Sequence, residues 1–342
     1  MHERSIRKPF ASVRIALACL LVLAVGFASR GVADAHEREY WIAAEQVEWD
    51  YAPLGQNAID PHAGMSPWGD THVYDKYRYV EYTEGFGAPV PQPVHRGILG
   101  PELRAIEGEW IVVHFWNRTD RPLSIHPHGL RYTEEHDGAD WPLRGKTCGG
   151  CYVAPGDRWT YRWKADHGAA PGRHEASSSV WLYHSHVDSV QDIYDGLIGT
   201  IVVTKRGWAR GRHDPRPRDV DREFTALFMV FDEEQGEEGG LMHSINGFIF
   251  GNLPGLDVQR GERVRWYLVG LGTEVDVHTA HWHGETVMEG GWRSGRRTDV
   301  VELLPSSMKV VDMQADNPGT WLFHCHVADH ITAGMMTRWR VY

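Results

Sequence analysis

The sequence predicts an all-β protein made of two Greek-key β-sandwich domains, and three observations carry that prediction. Short runs rich in Val, Trp, Tyr and Phe alternate with turns built on Gly, Pro and Asp, and residues 36–342 contain no convincing amphipathic helix. The order of those runs in the first half recurs in the second. One strand aligns residue for residue, Trp181-Leu-Tyr-His184-Ser-His186-Val187 against Trp321-Leu-Phe-His324-Cys-His326-Val327. With an N-terminal segment set aside, the 342-residue chain suits two domains of roughly 150 residues each.

Residues 1–35 open with Arg4, Arg7 and Lys8, continue with an apolar run at 15–28 and end in Ala33, Asp34 and Ala35. That pattern predicts a cleaved secretory signal peptide and a secreted or periplasmic chain. Its apolar run is shorter than the roughly 20 residues a spanning helix needs, so an uncleaved anchor is the alternative, and no other stretch could cross a membrane.

The first domain is expected at 36–205, an exposed Arg-, Pro- and Asp-rich linker at 206–222, and the second domain at 223–342. In the first, an opening strand at 39–50 precedes a loop-rich stretch broken by Pro67, Pro89, Pro91 and Pro93. A strand at 108–117, the pair His126 and His128, a turn at Pro155-Gly156-Asp157 and strands at 158–163 and 181–187 follow. The second repeats this order with strands at 261–269, 308–313 and 321–327 and the pair His281 and His283. The tryptophans and tyrosines of both copies read as sandwich core.

A formal net charge of −11 argues against nucleic acid as a partner and is compatible with cationic substrates. After processing only Cys148, Cys151 and Cys325 remain, too few for a disulfide framework. Cys148-Gly-Gly-Cys151 is expected to form a local disulfide, with redox chemistry or copper delivery as the alternative.

The 21 histidines are the anomaly, and ten of them fall in four tight clusters. Residues 324–335 hold one thiol, three imidazoles and the thioether of Met335, a mixture of soft sulfur and nitrogen that suits copper better than zinc or a hard cation. On a strand, Cys325 faces one way while His324 and His326 face the other. A blue-copper site of His278, Cys325, His330 and Met335 is thus expected to be wired to a second centre behind the strand. Four His-x-His pairs (126/128, 184/186, 281/283 and 324/326) supply eight imidazoles for that centre. A single such pair reads most simply as a bare surface strand; four in register with a repeat do not. The first copy has lost its sulfur site, with Ser185 in place of Cys325 and Leu123 in place of His278.

These motifs resemble those of the multicopper oxidases, whose fold is the cupredoxin sandwich. The resemblance implies four coppers per chain: type 1 on His278, Cys325, His330 and Met335, type 2 on His126 and His281, and a type 3 pair on His128, His184, His186, His283, His324 and His326. A closer resemblance, from Tyr40 to Tyr342, is to ceruloplasmin-type ferroxidases, through Trp49-Asp-Tyr-Ala-Pro53, His184-Ser-His-Val-Asp188 to Gly196-Leu-Ile-Gly199, Ile245-Asn-Gly247, Phe250-Gly-Asn-Leu-Pro-Gly255 and Thr273-Glu-Val-Asp-Val-His278. It implies an Fe(II) site of Glu238, His243, Glu274 and Asp329, and a proton relay at Asp137, although Asp137 also reads as a plain Asp-Gly turn and Glu238 as part of a solvated acidic run. The longer members of that family have six such domains, so two domains imply a homotrimer with each copper cluster between domain 1 of one subunit and domain 2 of the next, as in the similar small laccases. The implied reaction couples four one-electron oxidations of Fe(II) to reduction of O2 to two waters. Laccase-type oxidation of phenols or aromatic amines and a non-catalytic copper-binding or electron-transfer role are the alternatives.

Overall fold

Burial along the strands follows the alternation of the sequence only where one face of a sheet meets water. The computed structural model describes residues 36–140, 148–273 and 276–342. The expected signal peptide at 1–35 lies outside the described residues. Among those described, the first half holds β1 (Glu37–Asp50), β2 (Val73–Tyr82), β3 (Glu102–Ile106) and β4 (Trp110–Asn117). It continues with β5 (His126–Pro127), β6 (Arg158–Lys164), β7 (Ser178–His184) and β8 (Ile198–Thr204). They form two four-stranded sheets, ordered β2-β1-β4-β6 and β3-β8-β7-β5.

The second half begins with β9 (Arg222–Asp232), β10 (Leu241–Ile245), β11 (Asp257–Val258), β12 (Arg263–Gly270) and β13 (His278–Trp282). It ends with β14 (Val287–Glu289), β15 (Arg296–Thr298), β16 (Val300–Leu303), β17 (Ser307–Gln314), β18 (Gly319–Cys325) and β19 (Met336–Val341). Its sheets are ordered β10-β9-β12-β17-β14-β15 and β11-β19-β18-β13-β16. Both halves are sandwiches, and each starts with a parallel pairing of the same kind, β1 with β4 and β9 with β12. Helix is confined to short turns, including α1 (Gln191–Tyr194) and α2 (Ala328–Thr332).

Each sandwich has its own core. Ile111, Val113, Phe115, Tyr161 and Trp163 pack with Ile201 and Val203 in the first. In the second, Phe323 lies 4.9 Å from both Trp266 and Trp282, ring centre to ring centre, and Cys325 and Met335 belong to the same cluster. A third core was not visible in the sequence. Leu182 and Ile198 from the first half pack with Leu227, Met229, Phe231 and Val269 from the second. This is why β8, β9 and β12 are buried on both faces and read as continuous apolar runs. On β9, Phe224, Ala226 and Phe228 face their own sandwich, while Leu227, Met229 and Phe231 face the other half.

Buried ion pairs cross the same junction. Glu102 accepts hydrogen bonds from Arg96 at 2.9 Å and from the Thr225 hydroxyl at 2.8 Å, and Arg104 reaches Glu223 at 3.0 Å. Arg265 is fully buried against Asp312 and donates to Ser177 and Ser178 of the first half. The stretch between β8 and β9 is folded on itself, with Arg210 N bonded to Arg216 O and Gly211 exchanging backbone bonds with Asp214. Cys148 and Cys151 form a disulfide.

Candidate metal centres

β13 and β18 run antiparallel with Ala280 opposite Cys325 and His281 opposite His324. Opposed residues share a face and successive residues on a strand do not. Cys325 therefore points into the sandwich with His278 and Ala280, while His281 and His324 point to the other side. His283 follows two residues after His281, and His326 N extends the ladder to Thr279 O at 2.7 Å. One strand thus serves two groups of donors, as its sequence predicts.

The inward group is sealed from water: His278, Cys325 and Met335 are fully buried and His330 nearly so. The turn after β18 folds back through α2, where Met335 N donates to His330 O and Cys325 N to Met335 O. This brings His330 Nδ1 to 3.1 Å from His278 Nδ1 and 3.5 Å from Cys325 Sγ. The donor atoms of all three lie within 4.8 Å of one another. Burial pushes the Cys325 thiol up, but hydrogen bonds from His278 and His330 outweigh it and bring the thiol down to about 6. A thiolate at neutral pH between two imidazoles is the nitrogen and sulfur set that copper prefers, so the residues fit that metal.

Asp276 stands behind this group, and sequence reasoning missed it. Its carboxylate is buried, accepts from Val230 N and Thr273 N at 2.8 Å, and lies 3.3 Å from His278 Nε2. Burial alone would lower His278, yet Asp276 and Cys325 raise it. An acid two residues before a candidate ligand was the available signal.

On the outer face four imidazoles form a quartet. Neighbouring rings among His281, His283, His324 and His326 are 5.1 to 5.5 Å apart, and His283 Nε2 lies 3.1 Å from His324 Nε2. The first half repeats it. His126 sits opposite His184 in the β5–β7 ladder, rings of His126, His128, His184 and His186 are 5.2 to 5.7 Å apart, and His128 Nε2 lies 3.0 Å from His184 Nε2. No ring pairing joins one quartet to the other among the described residues.

Backbone carbonyls fix the ring orientations. The Nδ1–H of His126 donates to Asp137 O and that of His281 to Asp299 O, each at 2.8 Å. In the same way His184 donates to Ser185 O and His324 to Cys325 O. With Nδ1 donating in each of these four rings, Nε2 is the nitrogen left for a metal, the arrangement a ligand needs. Burial drives His128 down to about 4 and His184 to about 3, and lowers His126, His283 and His324, so they are neutral at pH 7.

The lost sulfur site of the first half is filled. Ser185 N donates to Leu197 O and Leu197 N to Asp192 O, matching Cys325, Met335 and His330 in the second half, so Asp192 stands for His330 and Leu197 for Met335. Ser185 donates to the buried Asp192 carboxylate at 2.5 Å, and Arg121 reaches the other oxygen at 2.8 Å. Leu123 is fully buried.

The expected iron ligands are less gathered. The His243 ring is 5.2 Å from that of His330, with Nδ1–H donated to Leu241 O. Glu238, on a one-turn helix, and Asp329, in α2, are exposed. These three do not converge within 4.8 Å, and Glu274 lies outside the described residues. Asp137 lies beside His126, its carboxylate 3.2 Å from Nδ1.

Two family models, each described as multicopper oxidase, match residues 92–207 and 226–342, together more than half of the chain. The chain belongs to the multicopper oxidase family. As a multicopper oxidase it is implied to bind copper, and the paired donor groups are consistent with that. It is 35% identical to human ferroxidase HEPHL1, over 91% of this chain and 30% of that protein, and 35% identical to human ceruloplasmin, over 89% and 31%. It thus spans about a third of the length of these curated relatives. A crystal structure of a multicopper oxidase superposes with a TM-score of 0.63 at 23% identity, over 90% of this chain and 89% of the other, which shows a common fold.

Proposed function

We propose that this multicopper oxidase is a ferroxidase that couples four one-electron oxidations of Fe(II) to the reduction of O2 to two waters, and that it works as a homotrimer. The observation that carries this reading is the pair of matching imidazole quartets on one chain, only one of which backs onto a cysteine. Two quartets that no ring pairing joins among the described residues are, in this reading, complementary halves of one eight-imidazole cluster, closed between the first half of one subunit and the second half of its neighbour. Copper, when bound, supplies one-electron uptake at the Cys325 group and the reduction of O2 at the joined quartets.

A short covalent and hydrogen-bonded path joins the Cys325 group to the outer face. The Cys325 carbonyl accepts the His324 Nδ1–H at 2.6 Å, so the sulfur residue is linked to the outer face through its own peptide. Fe(II) is the substrate favoured by the ferroxidase-named relative and by His243 beside His330. Glu238, Glu274 and Asp329 complete its ligands in this reading, and oxygen ligation favours ferric over ferrous iron, which makes the bound ion a better reductant. Asp137, beside His126, serves as the proton relay.

Oxygen uptake with Fe(II) and with a phenol, compared by kcat/KM, tests the assignment. A clear preference for Fe(II) is expected; a preference for the phenol makes the chain a laccase. Copper analysis is expected to give four ions per chain. Cys325→Ser is expected to remove the intense visible copper–thiolate band together with oxygen uptake, and retention of both would overturn the oxidase reading.

A further inference from the structure

We infer that the face formed by the folded connection between the two halves is a docking surface for an anionic phospholipid bilayer. In a chain of net charge −11, residues 205–221 carry Lys205, Arg206, Arg210, Arg212, Arg216 and Arg218. The acids of the same stretch are already engaged. Asp214 pairs with Arg216, Asp219 faces Arg265 and Asp221 faces Arg263. The guanidiniums of Arg206 and Arg210 donate to backbone carbonyls, with the Glu107 carboxylate beside Arg206 and Asp214 beside Arg210. Arg212, Arg218 and Arg293 are exposed, and no carboxylate pairs with any of them among the described residues. Trp208 is held between Arg218 and Arg293, 5.3 and 4.6 Å from its ring.

Elsewhere on this molecule arginines are commonly ion-paired, as Arg38, Arg104, Arg118, Arg121, Arg162 and Arg222 are. A cluster of unpaired guanidiniums is a phosphate-recognising surface, because the planar fork matches phosphate oxygens and gives up its water more readily than an ammonium does. A tryptophan among cations at the edge of such a patch suits the headgroup layer, where amphipathic rings settle.

The start of the folded chain points to a bilayer rather than to a soluble polyanion. His36 lies against this face, its ring 5.8 Å from that of His213, and Arg38 donates to Arg212 O at 2.7 Å. The residues that precede His36, with their apolar run at 15–28, are therefore joined to the chain beside the patch. At an anionic leaflet each basic residue adds to binding, and salt screens it.

The test is co-sedimentation of the chain from His36 onward with vesicles of phosphatidylcholine alone or with roughly 30% phosphatidylglycerol. Binding is expected only to the anionic vesicles, is released by about 0.5 M NaCl, and falls at least tenfold in the R212Q/R218Q/R293Q variant. The substituted side chains are exposed, so the variant is expected to keep its melting temperature, its mass in solution and its oxygen uptake. Equal binding by the variant, or no binding to anionic vesicles at low salt, overturns the proposal. So does binding to soluble polyphosphate without binding to the vesicles, or a change of oligomeric mass in the variant.

Discussion

If each cluster is shared between subunits, two inactive variants must restore one another. His128→Ala removes one of the two facing Nε2 atoms of the first quartet, and His283→Ala does the same in the second. Each homotrimer has every cluster spoiled and is expected to be inactive. In co-expressed rings drawn at random from equal amounts, a junction receives an intact first quartet with one chance in two and an intact second quartet with one chance in two. About one quarter of the junctions are then whole, so oxygen uptake recovers to about one quarter of the parent's whatever the size of the ring. The Cys325 group feeding each whole junction lies on the same chain as its intact second quartet, so recovery needs no further repair. Oxygen-electrode rates on the co-purified mixture, normalised to chain concentration, measure it. Absence of recovery, with the mixed assembly verified by two affinity tags, would refute shared clusters and place both quartets in the service of one chain.

Three further outcomes are expected. Burial pushes the Glu102 carboxyl up, but Arg104 and Arg96 outweigh it and hold it at about 2 against an ordinary 4.5. Its contribution is thus complete above pH 4.5 and is lost as pH falls towards 2, so Glu102→Gln lowers stability at pH 7 by up to about 3 kcal/mol and the gap to the parent narrows in acid, as denaturant midpoints will show. Asp276→Ala leaves Val230 N and Thr273 N without their acceptor and is expected to cost about 2 to 4 kcal/mol in the same measurement. Glu238→Ala with Asp329→Ala is expected to raise KM for Fe(II) at least tenfold while the rate with a phenol holds; loss of both activities together would count against an iron site.

The donor groups were legible because residue type and strand period carried them. Cys325 facing inward between His324 and His326 follows from a period of two, and the structure keeps it. The repeat also located the place of the missing sulfur site at Ser185. What filled that site was not legible, since Asp192 lies seven residues after Ser185 whereas His330 lies five after Cys325, and the offset hides the match. The core between the halves was hidden for another reason. Along β8, β9 and β12 both faces are apolar, and an apolar residue does not announce which of two neighbours it will meet. Asp276 escaped notice because two of its partners, Val230 N and Thr273 N, are backbone amides, which leave no trace in a pattern of side chains, and its spacing from His278 was the one signal.

The knot of Ser185, Asp192 and Arg121 makes the two halves of the chain unequal partners. Among the described residues a single donor group backs onto a sulfur, and the matching space in the first half is already taken by a clamped acid. If three such chains close the proposed ring, every nest of imidazoles would draw on one feeder, and the failure of a feeder would idle its own nest with no detour through the neighbouring sandwich.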